Sequence, residues 1–139
     1  MWSTKIITVN PEMFPGVLGH SIIGKALKKN IWSLDTINLH DFGYNNRNSI
    51  DDSPFGGGPG MVIRADVIER AVRSIVENIV KKLPLVYLTP SGKPLNQQDL
   101  IKFSQKDGII ILCGRFEGVD ARVIDSLGFE QVSIGDYVL

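Results

Sequence analysis

Four short stretches of this sequence place glycine beside polar or charged side chains in a way that suits ligand binding. They are "DDSPFGGGPGM" (Asp51 to Met61), "YLTPSGKPLNQ" (Tyr87 to Gln97), "LCGRFEGVDARVID" (Leu112 to Asp125) and "SIGDYVL" (Ser133 to Leu139). A glycine lets backbone approach a ligand closely and tolerates φ > 0. Arg115 and Glu117 are the charged members of "GRFEG"; taken alone they read as a surface ion pair worth about 0–1 kcal/mol. A single glycine-bearing loop would mark an ordinary turn or linker. Four in one chain of 139 residues argue for a shared pocket.

Several chemistries are excluded. A P-loop fails because Gly92-Lys93 is followed by Pro94 with no glycine at the earlier position. The dinucleotide fingerprint begun at Gly56 fails because Met61 stands in place of its last glycine. "SGK" is not a nucleophile elbow. The two histidines, His20 and His40, belong to no spaced ligand set, and one cysteine cannot build a zinc framework. A metal site is therefore not expected from spacing.

Cys113 is the single cysteine, so no intrachain disulfide forms and a reducing, cytoplasmic setting is expected. In "GIIILCG" it reads as a small buried hydrophobe. The N-terminus has no signal-peptide pattern, and no apolar run approaches the roughly 20 residues that span a bilayer. Fifteen basic and fifteen acidic residues cancel. Nucleic-acid modules usually carry a basic excess, so RNA contact here would need a local patch or residues outside the chain.

The elements that must position these loops alternate. "TKIITV" reads as a strand from its β-branched residues. "VLGHSIIGKALKKN" has near-helical apolar spacing with lysines at its end. "WSLDTINLH" reads as a second strand, and His40 to Gly60 as a long patternless loop of the functional or disordered kind. "ADVIERAVRSIVENIVKK" is the clearest helix, its apolar stripe running from Val67 to Val80. "PLVYL", "GIIILC" and "EQVSIGDYVL" read as strands, with helices at "NQQDLIKFSQ" and "DARVIDSLG". Non-alternating strands separated by helices predict one α/β domain, a largely parallel sheet covered on both faces. Three of the glycine loops then follow strand ends, where open α/β sheets bind ligands.

The four quoted motifs, with the opening "MW…PEMF", resemble in order and over essentially the whole chain the bacterial tRNA (guanine-N1)-methyltransferases. That resemblance implies the SPOUT superfamily, with a C-terminal trefoil knot, and a homodimer whose active sites lie at the subunit interface. It implies use of S-adenosylmethionine to methylate N1 of the guanosine 3′ of the tRNA anticodon, with Mg²⁺ assistance suggested. By match to the family, Tyr87, Leu88, Thr89, Pro90, Gly114, Ile134, Gly135, Asp136, Tyr137, Val138 and Leu139 form the methyl-donor pocket. Asp51 and Gly60 match positions near the target guanine. Arg115 would stabilise charge on the base, and Glu117 would orient it or hold a cation. Phe55 and Phe116 stand where the family often has tyrosine.

The resemblance also implies a longer chain, in which residues 1–139 are the methyltransferase domain. A C-terminal tRNA-binding domain and the aspartate that serves as general base would follow Leu139. Two other readings stand beside it: a non-catalytic α/β RNA-binding or dimerisation module that keeps the nucleotide pocket, and a different α/β enzyme with a nucleotide cofactor.

Overall fold

The computed structural model describes residues 1–54, 56–115 and 118–135. The chain runs β1 (Trp2–Thr8), α1 (Ser21–Lys28), β2 (Trp32–Asn38), β3 (Asp51–Asp52), β4 (Val62–Ile63), α2 (Ala65–Val76), β5 (Leu85–Pro94), α3 (Gln97–Ser104), β6 (Gly108–Cys113), α4 (Ala121–Ser126) and β7 (Glu130–Ser133). Short 3₁₀ turns occupy Pro11–Met13, Gly16–Gly19 and Leu39–Phe42.

The main sheet has the order β2-β1-β6-β5-β7, and every pairing in it is parallel. The expected α/β class is therefore found. Central β6 is the strand without alternation, and Ile109, Ile110 and Leu112 are all buried, as a strand covered on both faces requires. On one face α2 and α4 pack Val67, Ile68, Ala71, Val72, Val123 and Ile124 against Ile7, Tyr87, Ile110 and Leu112. On the other face Val86, Ile109 and Val132 meet Trp2, Leu95 and Phe103. An apolar groove of about 670 Å³ on this face is lined by side chains of α1, α3 and the sheet.

Because the sheet is parallel, Thr8, Leu88, Cys113 and Ser133 mark one common edge of it. The segments that follow Leu88, Cys113 and Ser133 leave from that edge.

Several elements depart from the sequence reading: α1 begins only at Ser21, after a 3₁₀ turn over Gly16–Gly19 and an extended His20, and β7 ends at Ser133; three further departures bear on the site. Helix α2 ends at Val76, short of the apolar stripe. The Asn78 side-chain amide donates to the Ser74 carbonyl at 2.7 Å, and the Asn78 N–H bonds the Ile75 carbonyl at 3.0 Å. Those bonds compete with further helix and leave Val80 fully exposed.

The second departure is β5, which continues through "TPSGKP" where a loop was expected. Val132 of β7 pairs with both Leu88 and Lys93. Residues five apart cannot share one strand edge, so Thr89 to Gly92 carry β5 from one edge of β7 to the other. Gly92 makes this possible. A Cβ there would lie 2.6 Å from the Val132 nitrogen.

Third, the stretch from His40 to Ile50 is less slack than its composition suggests. Leu39 and Ile50 are core residues, the Tyr44 N–H bonds the Ser49 carbonyl at 3.0 Å, and the Arg64 N–H bonds the Ile50 carbonyl at 2.7 Å.

Candidate functional site

At the end of β1 the Thr8 hydroxyl accepts the Asn10 N–H at 3.0 Å, turning the chain towards β6. The Asn10 amide nitrogen donates to Glu12 at 3.1 Å, while its oxygen accepts from Arg115 Nη1 at 2.8 Å. Glu12 is held below the usual carboxylate range by its own backbone N–H and then by the Asn10 amide. Arg115, exposed at the end of β6, is thus tied to the neighbouring strand's loop.

Beneath Arg115 lies Tyr87. Its side chain is 9% exposed and belongs to the core. A Cβ at Gly114 would sit 3.1 Å from the Tyr87 hydroxyl and 3.2 Å from a ring carbon; at Gly118 it would sit 3.4 Å from the hydroxyl. Burial pushes the Tyr87 phenol up, with the Val119 backbone N–H opposing that shift. Cys113 is half-buried and burial raises its thiol as well, in keeping with an unreactive packing role.

The glycine-rich stretch is the loop of an antiparallel hairpin, with Asp51 opposite Ile63 and Asp52 opposite Val62. Its returning strand is fixed to the segment after β6: the Ile63 N–H bonds the Gly118 carbonyl and the Asp120 N–H bonds the Ile63 carbonyl, both at 3.1 Å. Gly56, Gly57, Gly58 and Gly60 have φ of 84°, 92°, 110° and 81°. Around Gly56 to Gly58 an added Cβ would meet nothing within 4 Å. Gly56, Gly57 and Gly58 thus serve backbone conformation rather than a close approach. Arg64 braces the base of the hairpin, pairing with Asp66 at 2.9 Å and Asp52 at 3.3 Å while lying 4.0 Å over the Tyr44 ring.

At the end of β7 the buried Ser133 hydroxyl donates to the Gly135 carbonyl at 2.8 Å and accepts the Gly135 N–H at 3.2 Å. This bends the chain just as it leaves the sheet. Thr89 and Ser91 hydroxyls lie 3.1 Å apart in the segment that passes around β7, and Pro90 is exposed.

The structure therefore brings Tyr87 and Gly114 together, and sets Asp51 and Gly60 on a hairpin docked beside the Arg115 loop. Leu88 and Ile134 line the same apolar groove. Glu117, Asp136, Tyr137, Val138 and Leu139, with Phe55 and Phe116, lie outside the described residues. Asn10, Glu12, Val119 and Ser133 were not singled out as site residues from the sequence. For Asn10 a signal existed, an Asn-Pro turn directly after the first strand. Among the described residues no group of three or more His, Cys, Asp or Glu comes together as a metal site, and no helix is long and apolar enough to cross a membrane.

Comparison with known proteins agrees with the motif order. The family model described as "tRNA (Guanine-1)-methyltransferase TrmD" matches residues 1–139. A tRNA (guanine-N(1)-)-methyltransferase of Ruegeria sp. (strain TM1040) is 47% identical over 139 residues, covering 100% of this chain and 57% of the relative. That of Rhizobium etli is 49% identical over 135 residues, 97% of this chain and 57% of the relative. An Ehrlichia ruminantium (strain Gardel) protein of the same name is 47% identical over 139 residues, with 59% of its length covered. The chain thus spans less than two thirds of the curated relatives it matches. With a family model matched from end to end and relatives 47–49% identical along it, the chain belongs to the tRNA (guanine-1)-methyltransferase family.

Proposed function

We propose that the pocket at the carboxyl ends of β1, β6, β5 and β7 holds S-adenosylmethionine. In the complete enzyme it would serve methylation of N1 of the guanosine 3′ of the anticodon in tRNA. The observation that carries this reading is the docking of the hairpin. The bonds from Ile63 to Gly118 and from Asp120 to Ile63 dock the base of the hairpin on the turn that follows Arg115, which supports this reading.

The chain's residues fit such a donor. Leu88 and Ile134 offer apolar contacts at the groove they share. The Ser133–Gly135 turn leaves the sheet with its own polar groups paired, so the following backbone is presented in a set direction. S-adenosylmethionine supplies an electrophilic methyl group on a sulfonium, and guanine N1 accepts it as the N1 proton leaves.

Removal of that proton shifts negative charge onto the guanine O6. Arg115 has five N–H donors, of which Nη1 is engaged with Asn10. Its remaining donors can face the developing charge, the kind of preorganised stabilisation that lowers such barriers. The hairpin would cover a base extruded from the RNA stack, as base-modifying enzymes require. The general base belongs to the part of the relatives beyond this chain's span, and Glu117 keeps the orienting role its motif implies. The passage of Thr89–Gly92 around β7 supports the trefoil-knot reading. A cytoplasmic homodimer acting on tRNA completes the proposal. No step is assigned to Mg²⁺.

Calorimetric titration of S-adenosylmethionine, with NAD as the contrast, tests the pocket. Saturable binding of the former alone is expected, weakened in folded Gly135→Val. Binding of NAD instead, or of neither, would overturn the reading.

A further inference from the structure

Tyr87 opens the "YLTPSG" motif, and its side chain is packed inside the protein. Its ring is packed in the α2 face of the core with Ile110, Leu112 and Val123. Its hydroxyl lies 3.1 and 3.4 Å from where Cβ atoms of Gly114 and Gly118 would be. These two glycines bracket the segment that carries Arg115. The next residue, Val119, turns its backbone N–H towards the same hydroxyl and forms the bridge to Ile63 of the hairpin. One phenol thus lies under both halves of the proposed site.

We infer that Tyr87 is a positioning residue: its hydroxyl sets the height of Gly114, Gly118 and Val119, and with them Arg115 and the docked hairpin, without itself contacting the methyl donor. This rests on the methyltransferase reading above. A larger residue at Gly114 would push against the phenol, which explains a glycine at a position where no left-handed φ demands one. At Gly118 the φ of 122° demands glycine in addition.

The consequence is a separation of binding from turnover. Tyr87→Phe keeps the ring and removes the oxygen that meets Gly118 and Val119. In the chain extended to its natural stop, S-adenosylmethionine affinity should stay within about twofold. Methyl transfer at saturating donor should fall roughly tenfold to a hundredfold, the scale of loss when reacting groups are misplaced by about 1 Å. Gly114→Ala should weaken turnover alone, and Tyr87→Phe combined with it should cost less than the two separate losses multiplied, because the phenol oxygen is the atom the new methyl meets first. Amide spectra should show Gly118 and Val119 as the largest shifts in Tyr87→Phe.

A donor affinity that falls tenfold or more with turnover unchanged would make Tyr87 a ligand contact and overturn the inference. Strict multiplicativity with Gly114→Ala, or unmoved Gly118 and Val119 amides, would do the same. If the unsubstituted extended chain transfers no methyl group to tRNA, the functional reading fails instead, and the amide shifts still decide whether Tyr87 sets the segment.

Discussion

Asn10 and Arg115, 105 positions apart in sequence, are joined by a 2.8 Å hydrogen bond from the guanidinium to the side-chain oxygen. They sit at the ends of two adjacent parallel strands, so the register of β1 against β6, with Ile7 opposite Leu112, is what brings them together. The same Asn10 amide holds Glu12. A cation and a carboxylate are thus linked through one neutral side chain at the mouth of the proposed site.

Asn10→Ala releases both. Because the contacts are exposed, stability should change by no more than about 0.5 kcal/mol. Methyl transfer by the extended chain should drop about tenfold, as Arg115 loses its orientation. A thermal melt paired with a turnover assay checks this. Full activity in Asn10→Ala would show that Arg115 needs no tether.

Gly92 and Gly57 should respond differently to alanine. At Gly92 the new Cβ would strike the Val132 nitrogen and the Gln131 carbonyl carbon at 2.6 and 2.7 Å, both backbone atoms that cannot rotate away. Destabilisation of about 1–3 kcal/mol or more is expected, the range for overpacking. Gly57 has open space around it and carries only the strain of φ 92°, so about 1 kcal/mol is the expected cost there. Urea unfolding of the two variants measures the difference, and equal costs would argue against the close passage of β5 around β7.

Acid sensitivity should concentrate at Asp120. This carboxylate is 6% exposed, pairs with Arg122 at 2.6 Å and accepts the Arg122 N–H at the start of α4. The Arg122 side chain is the main cause that lowers its pKa, against the opposing effect of burial. A carboxyl with a lowered folded pKa contributes stability that is present above its unfolded value of about 3.9 and is lost as pH falls through the folded value. Asp120→Asn should therefore be less stable than the parent at pH 7 by about 1 kcal/mol, a modest figure because Arg122 is largely exposed. The difference should shrink as pH falls below the unfolded value and through the lowered folded one. A gap that persists at low pH would place its origin in packing.

The hairpin and the stretch before it should differ in hydrogen exchange. Amides of Tyr44 and Arg64 are bonded to the Ser49 and Ile50 carbonyls and should be protected. Gly56 and Gly58 are exposed and should exchange fast. Uniform protection from residue 41 to 60, or none, would contradict this division.

Much of this arrangement was legible in the chain. The apolar run "GIIILC" reads as a strand covered on both faces, which β6 is, and the glycine-bearing segments after β6 and β7 follow strand ends as expected. Helix α2 was overextended because apolar spacing continues past Val76, while the side chain of Asn78 that helps to end the helix carries no periodic signal. The continuation of β5 was hidden because Pro90, Gly92 and Pro94 look like loop residues, and only the tertiary passage around β7 makes them strand. The buried role of Tyr87 was not legible either. A tyrosine in a binding motif carries no sign of burial, and the proximity of Gly114 and Gly118 to its hydroxyl appears only in the folded chain.

The most direct measurement is methyl transfer from radiolabelled S-adenosylmethionine to unmodified tRNA, made with this 139-residue chain and with the chain extended to its natural stop. Reverse transcription then maps the product, since a methyl group on N1 blocks the pairing edge of guanine. The extended chain should label tRNA and stop the transcript at the guanosine 3′ of the anticodon, while the shorter chain binds donor without comparable turnover. Label on a ribose or at another base would contradict the account, as would equal turnover by the shorter chain.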